Sequence, residues 1–354
     1  MRGVVFRGDR KIEIASFDDP VPSSSEVVIE VKASGICGSD LKFYRGGAKA
    51  ALAAFGTGPA DLDGDARVIA GHEPCGVVAA TGPGVDERSV RVGDRVMVYH
   101  YTGCGMCREC RAGWTQMCEH GAGLIGSTVD GGHADFLKVP AVAVLPLPDE
   151  LSYSAGAAIC CGTGTAYGAL TRLDLSARDT IAVFGLGPVG QSAVQLAASM
   201  GTSVIAVDVS EERVALAEGF GAAHAIDSNK VDPVEAIREL TRGRGVTCAL
   251  DAAGSSGARR DAVRSLANWG RVAFVGHAEA ETTFDVSREV IRKQLTMIGS
   301  YTFSDVVQTD CARFVADRGV DVDKVFTDRW TIDAAAHAYV EFDKQLGGKA
   351  VIEF

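Results

Sequence analysis

From Thr180 onward, short apolar runs alternate with segments whose apolar residues recur at helical spacing. Thr180–Phe184 and Ser203–Asp208 read as buried strands, and Gly187–Met200 and Glu211–Phe220 read as the helices that follow them. Thr247–Asp251 and Arg271–Val275 continue the series as strands. Strands alternating with helices predict a parallel sheet covered on both faces. Up to about residue 150 the pattern is different. The Val/Ile runs Glu26–Val31, Gly76–Ala80 and Arg95–Tyr99 are separated by Gly, Pro and Asp turn signals, so this part is predicted to be β-rich. From about residue 299 helix and strand are mixed, and the chain ends on the strand-like Lys349–Phe354. Gly46–Arg67, rich in Gly, Ala and Asp, has the weakest pattern. Leu151–Leu170 carries no charged residue. It has about the ~20-residue length of a membrane span, but its Gly, Ser, Thr, Cys and Tyr content predicts a buried segment beside a site.

Length and charge narrow the picture. A chain of 354 residues exceeds one ordinary core, so two domains are expected. Acidic residues number 46 against 35 basic ones, a net charge of −11, and no dense Lys/Arg run is present. Such a surface repels nucleic acid and anionic lipid, so neither is expected as a partner. Met1-Arg2-Gly3-Val4-Val5-Phe6 starts directly on a strand pattern without the apolar core of a signal peptide, and a cytoplasmic location is expected. The ten cysteines are then better read as metal ligands or buried residues than as disulfides.

Their spacing carries the chemistry. Cys104, Cys107, Cys110 and Cys118 form C-x2-C-x2-C-x7-C, with Gly103, Gly105 and Gly113 supplying turns. Four thiolates fill a tetrahedral zinc shell and leave no position for a substrate, so this site reads as structural. Iron–sulfur ligation and a zinc ribbon on nucleic acid are the alternatives. A catalytic zinc needs three protein ligands and an open position. Cys37 in GICGSD, His72 in GHEPCG and one of the paired Cys160 and Cys161 would supply them, although each could equally be a packed core residue. Gly185-Leu186-Gly187-Pro188-Val189-Gly190 is G-x-G-x-x-G between a strand and a helix, the context of a dinucleotide site. Its glycines let a pyrophosphate approach the helix N-terminus. Eighteen residues after Gly190, Asp208 ends the next strand. A carboxylate there accepts from both ribose hydroxyls and repels a 2′-phosphate, favouring NAD over NADP.

GICGSD, GHEPCG, the four-cysteine knot, ICCGTGTAYG, GLGPVG and the terminal GGKAVIEF occur together in the order and rough spacing of zinc alcohol dehydrogenases. The whole chain thus resembles the medium-chain dehydrogenase/reductase family. That resemblance implies an α/β protein: a Rossmann doubly wound parallel sheet at 161–298 and a β-rich, GroES-like catalytic domain at 1–160 and 299–354. It implies two Zn2+ per chain, NAD, a small alcohol or carbonyl substrate, and a homo-oligomer, with a tetramer favoured over a dimer. The ligating cysteine stands four residues before a Thr and six before a Tyr, which selects Cys161 with Thr165 and Tyr167. Cys160 and Cys75 then pack nearby. Similar enzymes place Glu73 near the metal and use Asp40 to orient the ligand histidine, whose free N–H needs an acceptor.

The resemblance also implies that Ser39 is the relay hydroxyl. Relatives often have His as the next relay member, where this chain has Lys42, so Lys42 either joins the relay or contacts the cofactor. Thr165 and Val189 are implied to flank the nicotinamide, Val275 and Gly276 to form the turn that passes it, and Arg213 to lie near the adenine ribose. His100 stands where alcohol dehydrogenases often have an aromatic pocket residue, and it is expected to hydrogen-bond a second substrate oxygen. About 35 residues separate Cys37 from His72, roughly ten more than relatives imply, and the excess falls in Gly46–Arg67 at the expected cleft mouth. Polyol, sugar-alcohol or aldehyde oxidation is the alternative activity, and a catalytically silent zinc-binding member is the alternative class.

Overall fold

The computed structural model describes residues 1–46 and 67–354. The Gly46–Arg67 expectation therefore lies almost wholly outside the described residues. Among those described, six parallel strands form one sheet in the order His224–Asp227, Ser203–Asp208, Thr180–Phe184, Val246–Asp251, Leu266–Phe274, Thr296–Gly299. In chain order this is 3-2-1-4-5-6, the doubly wound arrangement. The order reverses between Thr180–Phe184 and Val246–Asp251, and a crevice opens beyond the carboxyl ends of strands at such a point.

Several elements differ in extent from the sequence pattern, each for a local reason. The first helix of the sheet runs Pro188–Ser199, because Gly187 is extended and serves as its N-cap. Proline suits the first turn, where its missing N–H costs no helix bond. The segment expected as one helix at Glu211–Phe220 divides into an α-helix Glu211–Ala217 and a tighter turn Glu218–Phe220, ended by Gly221 at φ +98°. The strand expected at Arg271–Val275 is Leu266–Phe274. Val275 leaves the sheet because its N–H and that of Gly276 both donate to the Asp251 carbonyl at 2.9 Å.

The β-rich part is a sheet in which Glu26–Ile36 is central. Glu73–Thr81, Phe136–Pro140 and the C-terminal Lys349–Glu353 all pair with it antiparallel. Arg95–Val98 and Val144–Pro146 extend one side, and Phe326–Thr331 the other.

Leu151–Leu170 becomes two helices, Tyr153–Ile159 and Gly162–Arg172, separated by Cys160 and Cys161. Tyr153–Ile159 packs on Glu26–Ile36 and Glu73–Thr81, whereas Gly162–Arg172 packs on Pro188–Ser199 and Asp305–Arg318. One apolar core runs through both, from Ala33 and Met97 to Ile181 and Leu196. The lack of charge in this stretch follows from burial on all sides, and it fixes the Cys160–Cys161 turn between the two sheets. No helix among the described residues is long and apolar enough to cross a membrane.

Candidate metal centre and dinucleotide cleft

Strand register brings the scattered residues together. Gly35 pairs with Glu73. Cys37, just beyond the end of Glu26–Ile36, and His72, just before Glu73–Thr81, therefore emerge at the same edge. Cys161 enters from the other side as the residue capping Gly162–Arg172. Cys37 Sγ and Cys161 Sγ are 3.8 Å apart. That is too long for a disulfide, and it equals the edge of about 3.8 Å expected for two thiolates on one tetrahedral zinc at ~2.3 Å. Ligand atoms of Cys37, His72, Glu73 and Cys161 all lie within 4.8 Å of one another.

The imidazole is oriented for ligation. His72 Nδ1 donates to Asp40 Oδ1 at 2.8 Å, which leaves the Nε2 lone pair for a metal. The second carboxylate oxygen of Asp40 accepts from the Cys37 N–H at 2.9 Å. Asp40 thus holds both ligands, and it also opens a helix. The Ser39 hydroxyl stands 3.3 Å from His72 Nε2, at the ligand atoms. Lys42 lies in the first turn of the same helix, its N–H on the Ser39 carbonyl at 3.1 Å. Burial lowers the pKa of its ammonium, the direction a proton relay requires.

Glu73 is fully buried and accepts from Lys349 Nζ at 2.7 Å. Burial raises its carboxyl to about 7, with the Lys349 charge opposing. A Cβ on Gly35 would fall 1.9 Å from Glu73 Oε2, so only glycine lets the carboxylate reach this place. Lys349 was not singled out from the sequence. The available signal was a lone lysine inside the apolar strand Lys349–Glu353.

His100 is buried, and its Nδ1–H donates to the Cys160 carbonyl at 2.8 Å. Its Nε2 is then bare and can only accept. Burial, reinforced by the neighbouring His72, holds its pKa down at about 3. Cys75 and Cys160 are fully buried, and burial pushes the Cys160 thiol up to about 12.

The four cysteines of the knot also converge, with sulfurs within 4.8 Å of one another. Cys104 Sγ and Cys110 Sγ are 4.0 Å apart. Backbone N–H groups point at the sulfurs: Met106 and Cys107 donate to Cys104 at 3.4 and 3.3 Å, and Cys110 donates to Cys107 at 3.5 Å. Such donors favour thiolates, and the pKa of Cys104 and of Cys118 is lowered chiefly by them. Both clusters therefore fit zinc in donor type and spacing.

A cleft of about 1120 Å³ joins the first cluster to the crevice of the parallel sheet. Cys37, Ser39, His72, His100 and Cys161 line one part, and Thr165, Val275 and Gly276 another. Val189 is half-buried against the core at the start of its helix. Gly185 has φ +89°, and a Cβ on Gly190 would fall 1.8 Å from the Gly185 carbonyl oxygen, so this turn requires glycine at both places. Asp208 Oδ2 accepts from the Leu186 N–H at 2.5 Å and Oδ1 from the Ser210 N–H at 2.8 Å. The carboxylate thus abuts the glycine turn. Arg213 reaches the same turn, its Nη1 lying 3.9 Å from where a Cβ on Gly187 would stand.

Comparison with known proteins agrees with this geometry. Residues 23–149 match the alcohol dehydrogenase GroES-like domain, and residues 188–317 match the zinc-binding dehydrogenase model. The chain is 37% identical over 357 residues to YphC, an uncharacterized zinc-type alcohol dehydrogenase-like protein of Escherichia coli, covering 100% of this chain and 99% of that one. It is 31% identical to a sorbitol dehydrogenase of Bacillus subtilis, covering 96% and 92%. Among solved structures, the alcohol dehydrogenase TADH from Thermus sp. ATN1 superposes with a TM-score of 0.88 at 26% identity, covering 100% and 99%.

Proposed function

Because the chain belongs to the zinc-dependent alcohol dehydrogenases of the medium-chain dehydrogenase/reductase family, we propose that it oxidises a polyhydroxylated alcohol with NAD, using Cys37, His72 and Cys161 as ligands of a catalytic zinc. Cys104, Cys107, Cys110 and Cys118 hold a second, structural zinc. Residues 1–160 and 299–354 form the catalytic domain, and 161–298 form the dinucleotide domain. The observation that carries the reading is the convergence of two thiolates and one oriented imidazole on the cleft that also reaches Val275 and Gly276 at the end of the parallel sheet.

When bound, zinc supplies Lewis acidity that makes the substrate hydroxyl easier to deprotonate, and NAD supplies the hydride acceptor. The protein positions the partners and handles the proton. Ser39 Oγ would accept the substrate proton while releasing its own, and Lys42, as the neutral amine, would be the acceptor of that released proton. Asp40 keeps the His72 ring fixed while this happens. Thr165, Val189, Val275 and Gly276 hold the nicotinamide against the cleft. Glu73 remains beside the ligands, tied to Lys349. The exposed apolar side chains Trp269, Ile291 and Met297 around the edge strand Thr296–Gly299 support a homo-oligomer.

NAD rather than NADP follows from Asp208, whose carboxylate would repel a 2′-phosphate. The catalytic efficiency with NAD should exceed that with NADP, and Asp208→Gly should narrow the ratio by about tenfold or more. A native preference for NADP would overturn the assignment.

The polyol character follows from His100. Its bare Nε2 accepts a hydrogen bond, so it suits a substrate hydroxyl beyond the one at the metal. The sorbitol dehydrogenase relative supports the same class. The native protein should favour diols and polyols over chain-matched simple alcohols, and His100→Phe should cut that preference about tenfold, the worth of one hydrogen bond of ~1.4 kcal/mol. A native preference for simple alcohols that His100→Phe leaves unchanged would remove His100 from substrate recognition.

A further inference from the structure

Asp251 ends the strand Val246–Asp251, and its side chain is fully buried. One carboxylate oxygen accepts from the Ala253 and Gly254 N–H groups at 3.1 and 2.9 Å. Among the described residues the other oxygen, Oδ2, has no hydrogen-bond partner and faces Arg259 Nε at 3.5 Å. A buried carboxylate is costly unless a cation is held beside it. Arg259 is that cation. It stands on the helix Ser256–Arg264, which buried Ala262 and Val263 anchor in the core, and its side chain is only 14% exposed.

The far end of the same guanidinium bonds a different segment. Residues 275–285 contain neither helix nor strand. Arg259 Nη2 donates to the Gly276 carbonyl at 2.9 Å, and Nη1 donates to the Glu279 carbonyl at 2.7 Å and to the Thr282 hydroxyl at 3.3 Å. A guanidinium presents its N–H groups in a rigid planar fork, so the acceptors at 276, 279 and 282 are held in one arrangement. A lysine ammonium in the same place would keep the charge and lose the fork.

The loop is pressed onto the strand end that carries Asp251. The Glu279 N–H donates to the Gly254 carbonyl, and the Ser256 N–H to the Glu279 carboxylate, both at 3.0 Å. Gly254 has φ +75°, and a Cβ on Gly276 would fall 2.1 Å from the Gly254 nitrogen, so the two segments meet backbone to backbone. The start of the loop is cleft wall: Val275, Gly276 and His277 line it, as does Arg259. Asp208 ends the strand on one side of Thr180–Phe184, whereas Asp251 and Phe274 end strands on the other. Arg259 therefore acts on the half of the crevice away from the Asp208 carboxylate.

We propose that Arg259 is a positioning residue: held over Asp251, it fixes the 276–282 loop and with it the wall of the cleft that receives the nicotinamide. This rests on the reading of the cleft as a dinucleotide site. An irregular segment ordered before the ligand arrives costs less to order on binding, so the brace favours affinity for the nicotinamide half of the cofactor.

The test compares binding of NADH with binding of ADP-ribose, which lacks the nicotinamide, by titration calorimetry on the zinc-loaded full chain. Removing Arg259 alone would strand the buried Asp251 charge, so Arg259→Met is combined with Asp251→Asn, which keeps an oxygen for the Ala253 and Gly254 N–H groups and carries no charge. The double variant should bind NADH about tenfold more weakly, roughly the worth of one hydrogen bond, and ADP-ribose within about twofold of native. Arg259→Lys, which preserves the pairing with Asp251, should fold and fall between native and the double variant for NADH, again with ADP-ribose unmoved. NADH binding within about twofold of native in both variants overturns the positioning role alone, and so does an equal weakening of NADH and ADP-ribose. Native protein that binds neither ligand overturns the dinucleotide reading, and this inference with it.

Discussion

Cys161→Ala should lower kcat/KM at least a thousandfold, a loss of about 4 kcal/mol in transition-state stabilisation, while the protein stays folded with its structural zinc. Cys161 supplies one of the two sulfurs that stand 3.8 Å apart, and without it the centre keeps one thiolate and His72. Its neighbour provides the control. The Cys160 sulfur donates to the Pro74 carbonyl at 3.3 Å and lies in the apolar core, not in the cluster. Cys160→Ala should therefore cost stability by the volume it removes and retain most turnover. A dead Cys160→Ala beside an active Cys161→Ala would reverse the ligand assignment.

Cys107→Ala should do the opposite. The loop 103–118 has little regular structure of its own: a single helical turn at Arg108–Arg111 and a short turn at Thr115–Met117. Its order depends on the four sulfurs. Structural zinc contributes on the order of 10 kcal/mol in isolated zinc-binding peptides, against a total stability of about 5–15 kcal/mol for a domain. The variant should hold one zinc fewer than native and unfold at a Tm lower by at least about 10 °C, as read by calorimetry together with elemental analysis. An unchanged Tm with the native zinc content would remove Cys107 from the structural site.

What could be read from the sequence was the chemistry held within short segments. The glycine turn Gly185–Gly190 and the four-cysteine loop each act within a short stretch, and Asp208 ends the strand that follows the turn at a fixed spacing, so spacing alone carries them. The end of the helical stretch at Phe220 was also local: Gly221 in a left-handed conformation stops it, whereas the change to a tighter turn after Ala217 was not foreseen. Long-range pairing was not legible. Glu26–Val31 shows a Val/Ile run, but the strand continues to Ile36 because Ser34 and Gly35 pair with Ile352 and Val351, more than 300 residues on. Lys349 looks like a surface lysine until Glu73 is placed opposite it. His133 and Tyr339 are 206 residues apart and carry no motif, so only the fold reveals that they meet. His100 was identified by its position before the knot. The direction of its hydrogen bonding, which decides what it can recognise, came from the Cys160 carbonyl.

The most direct test is the rate of NADH formation by zinc-loaded protein offered NAD and a panel of alcohols, run beside the same protein stripped of its more labile zinc. Turnover on at least one polyol or diol with NAD is expected, lost on stripping and restored when zinc is returned. Protein that carries two zincs per chain yet reduces neither NAD nor NADP with any alcohol in the panel would contradict the proposed function.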